Sequence, residues 1–148
     1  MPKRKPKVAI VILTWNACSM TKSQLNDVAK LDTKGLTAET LVVDNGSTDG
    51  TEEGLSKYRL PNMGYRFVET GANLGFAGGN NIGLKDAVKR GSDYILLMNN
   101  DLILSKDLLI QLIKVAERDK KIGLLSPKMY FARGYEFHKD RYQKSELG

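Results

Sequence analysis

Strand-sized apolar runs alternate with helix-spaced patterns along this chain, and that alternation leaves few folds open. The run "KVAIVILTW" is rich in β-branched residues and reads as a first strand. In "SMTKSQLNDVAKL", Met20, Leu25, Val28 and Leu31 fall near helical spacing, which predicts an amphipathic helix. "ETLVVDN" is a second strand, followed by the turn-rich "GSTDGT" and a short helical stretch through "EEGLSKY". "YRFVET" alternates as a third strand, "GANLGFAGGN" reads as a glycine-rich loop, and "NIGLKDAVKRG" as a helix closed by Gly91. "DYILLMNN" is a fourth strand, and its apolar run reads as buried. "SKDLLIQLIKVAERD" then places Leu108, Leu109, Leu112, Ile113 and Ala116 on one helical face, with Ser105 as N-cap. A last strand is expected over "IGLLSPKMYF", interrupted at Pro127. This order predicts an α/β fold, a mostly parallel sheet with helices on both faces.

Ligands of such sheets bind beyond the carboxyl ends of the strands. The polar segments fall there: "TWN" after the first strand, "DNGSTDG" after the second, "GANLGFAGGNN" after the third and "NND" after the fourth. Four polar or glycine-rich segments are therefore expected to share one rim.

At 148 residues the chain suffices for one domain with a real core. Its 41% hydrophobic and 27% charged residues are those of an ordinary globular protein. The longest apolar run, "VAIVIL", is far short of the roughly 18 residues of a membrane span. "PKRKPK" before it resembles the start of a signal peptide, but Thr14, Trp15 and Asn16 follow without a small-residue cleavage site. The expected location is the cytoplasm, or the inner face of the cell membrane. The single cysteine, Cys18, excludes an intrachain disulfide and reads as a small buried hydrophobe; the single histidine, His138, excludes a histidine metal cluster. A net charge of +6 suits an anionic partner, although much of it sits in the terminal runs "KRKPK" and "KDRYQK". Those ends read as solvated tails, with a weak pull toward acidic lipids as the functional alternative. No strand interleaves basic and aromatic residues, so nucleic acid is not an expected partner.

Several rim residues carry chemistry. Asn99 and Asp101 are two apart and project to one side of an extended backbone. Together they are an oxygen-only start on a Mg²⁺ or Mn²⁺ site, to be completed by phosphate oxygens and water. Equally, the trio Asn99, Asn100 and Asp101 reads as caps on a turn. "DNGSTDGT" supplies Asp44, Asn45, Ser47 and Asp49, either as a turn into a helix or as a ligand loop in which Asp44 or Asn45 accepts from a base N–H. The segment from Gly71 to Gly83 holds five glycines in thirteen positions but matches neither a P-loop nor a clean G-x-G-x-x-G. Trp15, the only tryptophan, is either core or a flat platform for a base.

Taken in series, "VAIVILTWN", "LVVDNGSTDGT", "NLGFAGGNNIG", "ILLMNND" and "GLLSPKMY" resemble the family 2 glycosyltransferases, from about Val8 to Tyr130. The flavour is closest to the rhamnosyltransferase-type branch of bacterial and archaeal surface-glycan (cell-envelope polysaccharide) synthesis. The resemblance implies a GT-A, Rossmann-like α/β/α sandwich that ends short, just after the metal-motif region. It divides the chain into a basic tail over 1–7, a nucleotide-sugar-binding domain over 8–131 and a polar tail over 132–148. It implies inverting transfer from a UDP- or dTDP-sugar, with Mg²⁺ or Mn²⁺, to a glycan or lipid-linked acceptor. Leu13, Thr14 and Trp15 would line the base pocket, and Asp44 and Asn45 would match the acidic pair that contacts base and ribose. Many relatives carry a second Asp where this chain has Asn45. Asn73, Gly75, Gly78 and Gly79 would lie near the diphosphate and sugar. "NND" occupies the family's DXD position: Asp101 would hold the metal, Asn99 the metal shell or ribose, and Asn100 would also border the donor.

The family's general base, an Asp or Glu needed to deprotonate the acceptor hydroxyl, lies in the C-terminal half. Glu136, Asp140 and Glu146 have no spacing that marks one of them as that base. The chain is therefore expected to be the donor-binding part of an enzyme. The alternative is a non-catalytic nucleotide-sugar-binding module, and turnover in the presence of acceptor separates the two.

Overall fold

A computed structural model describes residues 4–130 of the chain. Its centre is a four-stranded sheet of β1 (Lys7–Thr14), β2 (Thr37–Asp44), β3 (Gly64–Glu69) and β4 (Tyr94–Met98) in the order β3-β2-β1-β4. Every pairing is parallel, with Thr14 opposite Asp44, Asp44 opposite Glu69 and Ile12 opposite Met98. Parallel neighbours need crossovers, which here are α1 (Cys18–Val28), α2 (Thr51–Leu55) and α3 (Gly75–Lys89), and α4 (Leu108–Ala116) follows β4.

Alternation along β1 divides the core in two. Val8, Ile10 and Ile12 pack on one face with Leu25 and Val28 of α1, Leu55 of α2 and Leu109 of α4. Val11 packs on the other with Leu41, Val43 and the half-buried Ile82 of α3. Both faces of the central strands are covered, which is why β1 and the end of β2 are nearly continuous apolar runs. The expected α/β/α sandwich with a parallel sheet is the fold observed.

Four local expectations need correction. Gly75 to Asn80 form the first turns of α3 rather than a loop. Their glycines are there for contact: a Cβ on Gly79 would lie 2.4 Å from Leu13 Cδ1, and one on Gly83 2.3 Å from Val11 Cγ1. Close approach of helix to sheet outweighs the low helix propensity of glycine. Next, β4 lies at the sheet edge and only Met98 is buried; Leu97 is 43% exposed. The strand expected over 122–131 is not formed among the described residues, where 123–130 have no regular structure. Pro127 has no N–H for a ladder, and no described strand lies beyond β4 to pair with. Finally, α4 begins at Leu108 with Asp107 in the N-cap position; Ser105 instead accepts the Leu108 N–H on its carbonyl and bonds Asp107 with its hydroxyl.

The end of α3 follows expectation. Gly91, at φ 72°, terminates it, with Gly91 N–H bonded to the Val88 carbonyl and Ser92 N–H to that of Ala87. The polar tail, with His138, Glu136, Asp140 and Glu146, lies outside the described residues.

Candidate functional site

Because all four strands are parallel, their carboxyl ends and the segments that follow lie on one rim. Side-chain hydrogen bonds tie these segments together. Asn16, in a left-handed conformation at φ 48°, donates its backbone N–H to Ser47 Oγ (2.8 Å) and accepts the Thr48 N–H on Oδ1 (2.7 Å). This joins the loop after β1 to the loop after β2. Asp44, 1% exposed, accepts the Ser47 N–H (3.1 Å) and the Ser47 hydroxyl. Gly46, at φ 77°, lets the chain pass Ala72 where a Cβ would be 2.6 Å from backbone carbon.

Asn45 joins the second and third segments. It is 3% exposed, and its Nδ2 donates to Asn73 Oδ1 (2.9 Å) and the Gly75 carbonyl (3.2 Å). Its Oδ1 accepts the Leu74 N–H (3.0 Å), while Asn73 Oδ1 also accepts the Gly75 N–H (2.9 Å). Both amide protons of Asn45 are thus spent on the start of α3. Leu74, the N-cap residue of α3, makes no side-chain cap bond, so the first turn of this 15-residue helix opens at the rim without a cap from that residue.

The fourth segment is anchored from α1. Asn100 is half-buried and donates to Thr21 Oγ1 (3.0 Å), and the Leu102 N–H donates to Gln24 Oε1 (2.6 Å). Asn99 and Asp101, on either side of Asn100, are exposed. The two side chains are open to solvent while Asn100, in a bend beyond the end of β4, turns in toward α1. Thr14 is 2% exposed and bonds Thr21 (2.8 Å), whereas the adjacent Trp15 is 55% exposed. Of the two roles open to Trp15, the exposed position excludes that of a core residue.

Leu13 is half-buried beneath Gly79, Gly78 sits against Leu74, and Asn73 and Gly75 are exposed on the rim. Thr21 and Gln24 are the rim-supporting residues that sequence reasoning missed. Both fall on the Leu25–Val28 face, and a polar residue at buried helical spacing was the available signal.

The corner between β2 and β3 is acidic. Burial, and then repulsion from Glu52, Asp44 and Glu53, hold the Glu69 carboxyl above its usual range. Asp49 is held below its own, chiefly by the Thr51 hydroxyl. No three His, Cys, Asp or Glu side chains gather as a preformed metal cage among the described residues. Asn99 and Asp101 do fit a hard divalent cation that takes one or two protein oxygens and completes its shell from phosphate and water.

A sequence model of glycosyl transferase family 2 matches residues 9–146. The "Uncharacterized glycosyltransferase YfnE" of Bacillus subtilis (strain 168) is 30% identical over 106 residues, covering 72% of this chain and 26% of its own length. Among solved structures, S. aureus TarS superposes with a TM-score of 0.63 at 26% identity, over 76% of this chain and 20% of TarS. TarS 1-349 in complex with UDP gives 0.64 at 26% identity, over 76% of this chain and 32% of that one. Mannosyltransferase PcManGT from Pyrobaculum calidifontis, in complex with GDP-Man and Mn²⁺, gives 0.63 at 22% identity over the same 76% and 32%. The sheet and its helices are those of the GT-A, Rossmann-like fold. The chain spans about a quarter of the curated relative's length.

Proposed function

Because the chain belongs to glycosyltransferase family 2, we propose that it binds a nucleotide-diphosphate sugar on the carboxyl rim, for inverting transfer of a hexosyl or deoxyhexosyl unit to a glycan or lipid-linked hydroxyl. The observation that carries this reading is the joint placement of Trp15, the α3 start and the outward pair Asn99 and Asp101 on one rim. TarS with UDP and PcManGT with GDP-Man and Mn²⁺ share this fold and support a nucleotide-sugar donor.

The roles follow from the surroundings. Trp15 stacks on the base, and Leu13 and Thr14 form the floor beneath it. Asp44 receives base or ribose N–H and O–H groups through whatever acceptor capacity Ser47 leaves. Asn73, Gly75, Gly78 and Gly79 border the diphosphate at the start of α3, where the Leu74 and Gly75 amides are already bonded to Asn45 and Asn73 and the positive end of the helix dipole favours negative charge. Asn45 serves this site by shaping the loop in front of α3.

The acidic corner at Asp44, Glu52 and Glu69 does not attract a diphosphate, so counter-charge is required from elsewhere. Asp101 and Asn99 would hold Mg²⁺ or Mn²⁺, which when bound neutralises charge on a diphosphate leaving group. A rhamnosyl-type donor for surface glycan is the specific form that the motif series favours, with UDP or dTDP as carrier. The reaction belongs in the cytoplasm or at the inner membrane face, where the basic N-terminal run gives a weak attraction to acidic lipids. No described helix is long and apolar enough to cross a membrane. No described carboxylate is assigned as the acceptor's general base; a non-catalytic binding module would hold donor without turning it over when acceptor is supplied.

Trp15 is the sole tryptophan, so its fluorescence reports the site directly. Titration with UDP or dTDP is expected to quench it saturably. A folded chain whose emission ignores both nucleotides would remove the reading.

A further inference from the structure

We propose that Thr21 and Gln24 of α1 are positioning residues that present Asp101 for divalent-metal binding, an inference that rests on the donor-site reading above. Neither side chain reaches the rim: Thr21 is 0% and Gln24 2% exposed. Each instead holds one side of the Asp101 turn.

Thr21 has a single hydroxyl proton, which goes to the Ala17 carbonyl (2.9 Å). Its oxygen must therefore accept from both remaining partners, the Thr14 hydroxyl (2.8 Å) and Asn100 Nδ2 (3.0 Å). That saturates the group and links the end of β1, the start of α1 and the turn after β4. Gln24 fixes the residue after Asp101 by accepting the Leu102 N–H at 2.6 Å. Asp101 thus sits between the Asn100 side chain and the Leu102 amide, both pinned to one face of α1 by residues three apart, while its own side chain stays exposed.

Gln24 is informative for a second reason. Its Nε2 is buried with no hydrogen-bond partner among the described residues, and an unmet buried donor is costly. An apolar side chain would pack there without that cost, but would leave the Leu102 amide unheld. The side-chain hydrogen bond that Gln24 makes among the described residues is thus to the turn and not to the core. Supports behind a metal ligand commonly govern affinity about 10- to 100-fold.

The test measures UDP affinity by calorimetry on the full chain, with and without Mn²⁺, and free Mn²⁺ by electron paramagnetic resonance. Thr21→Val and Gln24→Met are expected to shrink the Mn²⁺-dependent gain about 10- to 100-fold, and Gln24→Met, which leaves the Thr14 contact intact, also to leave metal-free UDP affinity unchanged. Thr21→Ser, which keeps the hydroxyl, is expected to retain the gain. Folded variants with the full gain would overturn the proposal, as would an equal loss of metal-free affinity in Gln24→Met. If Thr21→Val does not fold, Gln24→Met decides the same comparison. A wild-type chain that gains nothing from Mn²⁺ overturns the metal reading itself, and this inference with it, before any variant is compared.

Discussion

Replacing Asn45 by aspartate changes one atom group at a site 3% exposed to solvent, and the geometry specifies the consequence. Asn45 Nδ2 donates to Asn73 Oδ1 and the Gly75 carbonyl, so a carboxylate there would set its oxygen against two acceptors. Asn73 cannot simply turn its amide round, because its Oδ1 also holds the Gly75 N–H. Two neutral hydrogen bonds are lost, at about 1 kcal/mol each. Burying a charge beside acceptors adds roughly 1–3 kcal/mol, and the Leu74 N–H, now bonded to a charged oxygen, returns about 1 kcal/mol. Asn45→Asp should therefore lose about 2–4 kcal/mol near neutral pH, a fall of about 1–2 M in urea midpoint. The new carboxyl is disfavoured as a charge, so its folded pKa lies above the unfolded value of about 3.9. Its penalty is absent below the unfolded value, sets in as pH rises above it, and is complete above the folded value. Urea unfolding of wild type, Asn45→Asp and Asn45→Ala at neutral pH and about pH 4 tests this, with a gap that narrows in acid for aspartate alone. An aspartate variant as stable as wild type, or a gap indifferent to pH, would refute the assignment of Asn45 to the loop.

Gly83→Ala would place a Cβ 2.3 Å from Val11 and 3.2 Å from Val43. Overpacking of about 1–3 kcal/mol should exceed the roughly 1 kcal/mol gained in helix propensity, seen as a lower thermal midpoint. Asp93 accepts the Lys7 N–H at 2.7 Å and pairs with Arg4, and these contacts, the Lys7 amide first, hold its carboxyl below the usual 3.8. Its contribution is present above that value and is lost as pH falls through the lower folded pKa. The stability gap between wild type and Asp93→Asn should therefore close in acid. Trp15→Leu should weaken UDP binding by roughly 1–3 kcal/mol in calorimetry without altering the melting temperature, if stacking is its role.

The central strands were legible because Val8–Ile12 and Leu41–Val43 are buried on both sheet faces, which forces a continuous apolar run. β4 uses the same vocabulary at an exposed edge, and sequence alone cannot separate an edge from a centre when both are apolar. The start of α3 reads as a loop in the sequence because glycine is a poor helix former. What admits Gly79 and Gly83 is a long-range contact with Leu13 and Val11, invisible to any local rule. At the site, the convergence of four segments followed from the alternation of strands and helices, which makes the sheet parallel. The division of labour among the asparagines did not: nothing in "DNGS" or "NND" says that Asn45 and Asn100 turn inward. Thr21 and Gln24 are hidden from a sequence reading because polar residues on a helix default to the solvent face, whereas both are buried here.

The most direct test of the account is calorimetric titration of UDP and dTDP into the folded chain, with and without Mn²⁺, for wild type and Asp101→Ala. The rim as described predicts binding that Mn²⁺ strengthens in wild type, with that gain abolished in Asp101→Ala. No binding of either nucleotide, or a metal-dependent gain that survives loss of the Asp101 carboxylate, would contradict it.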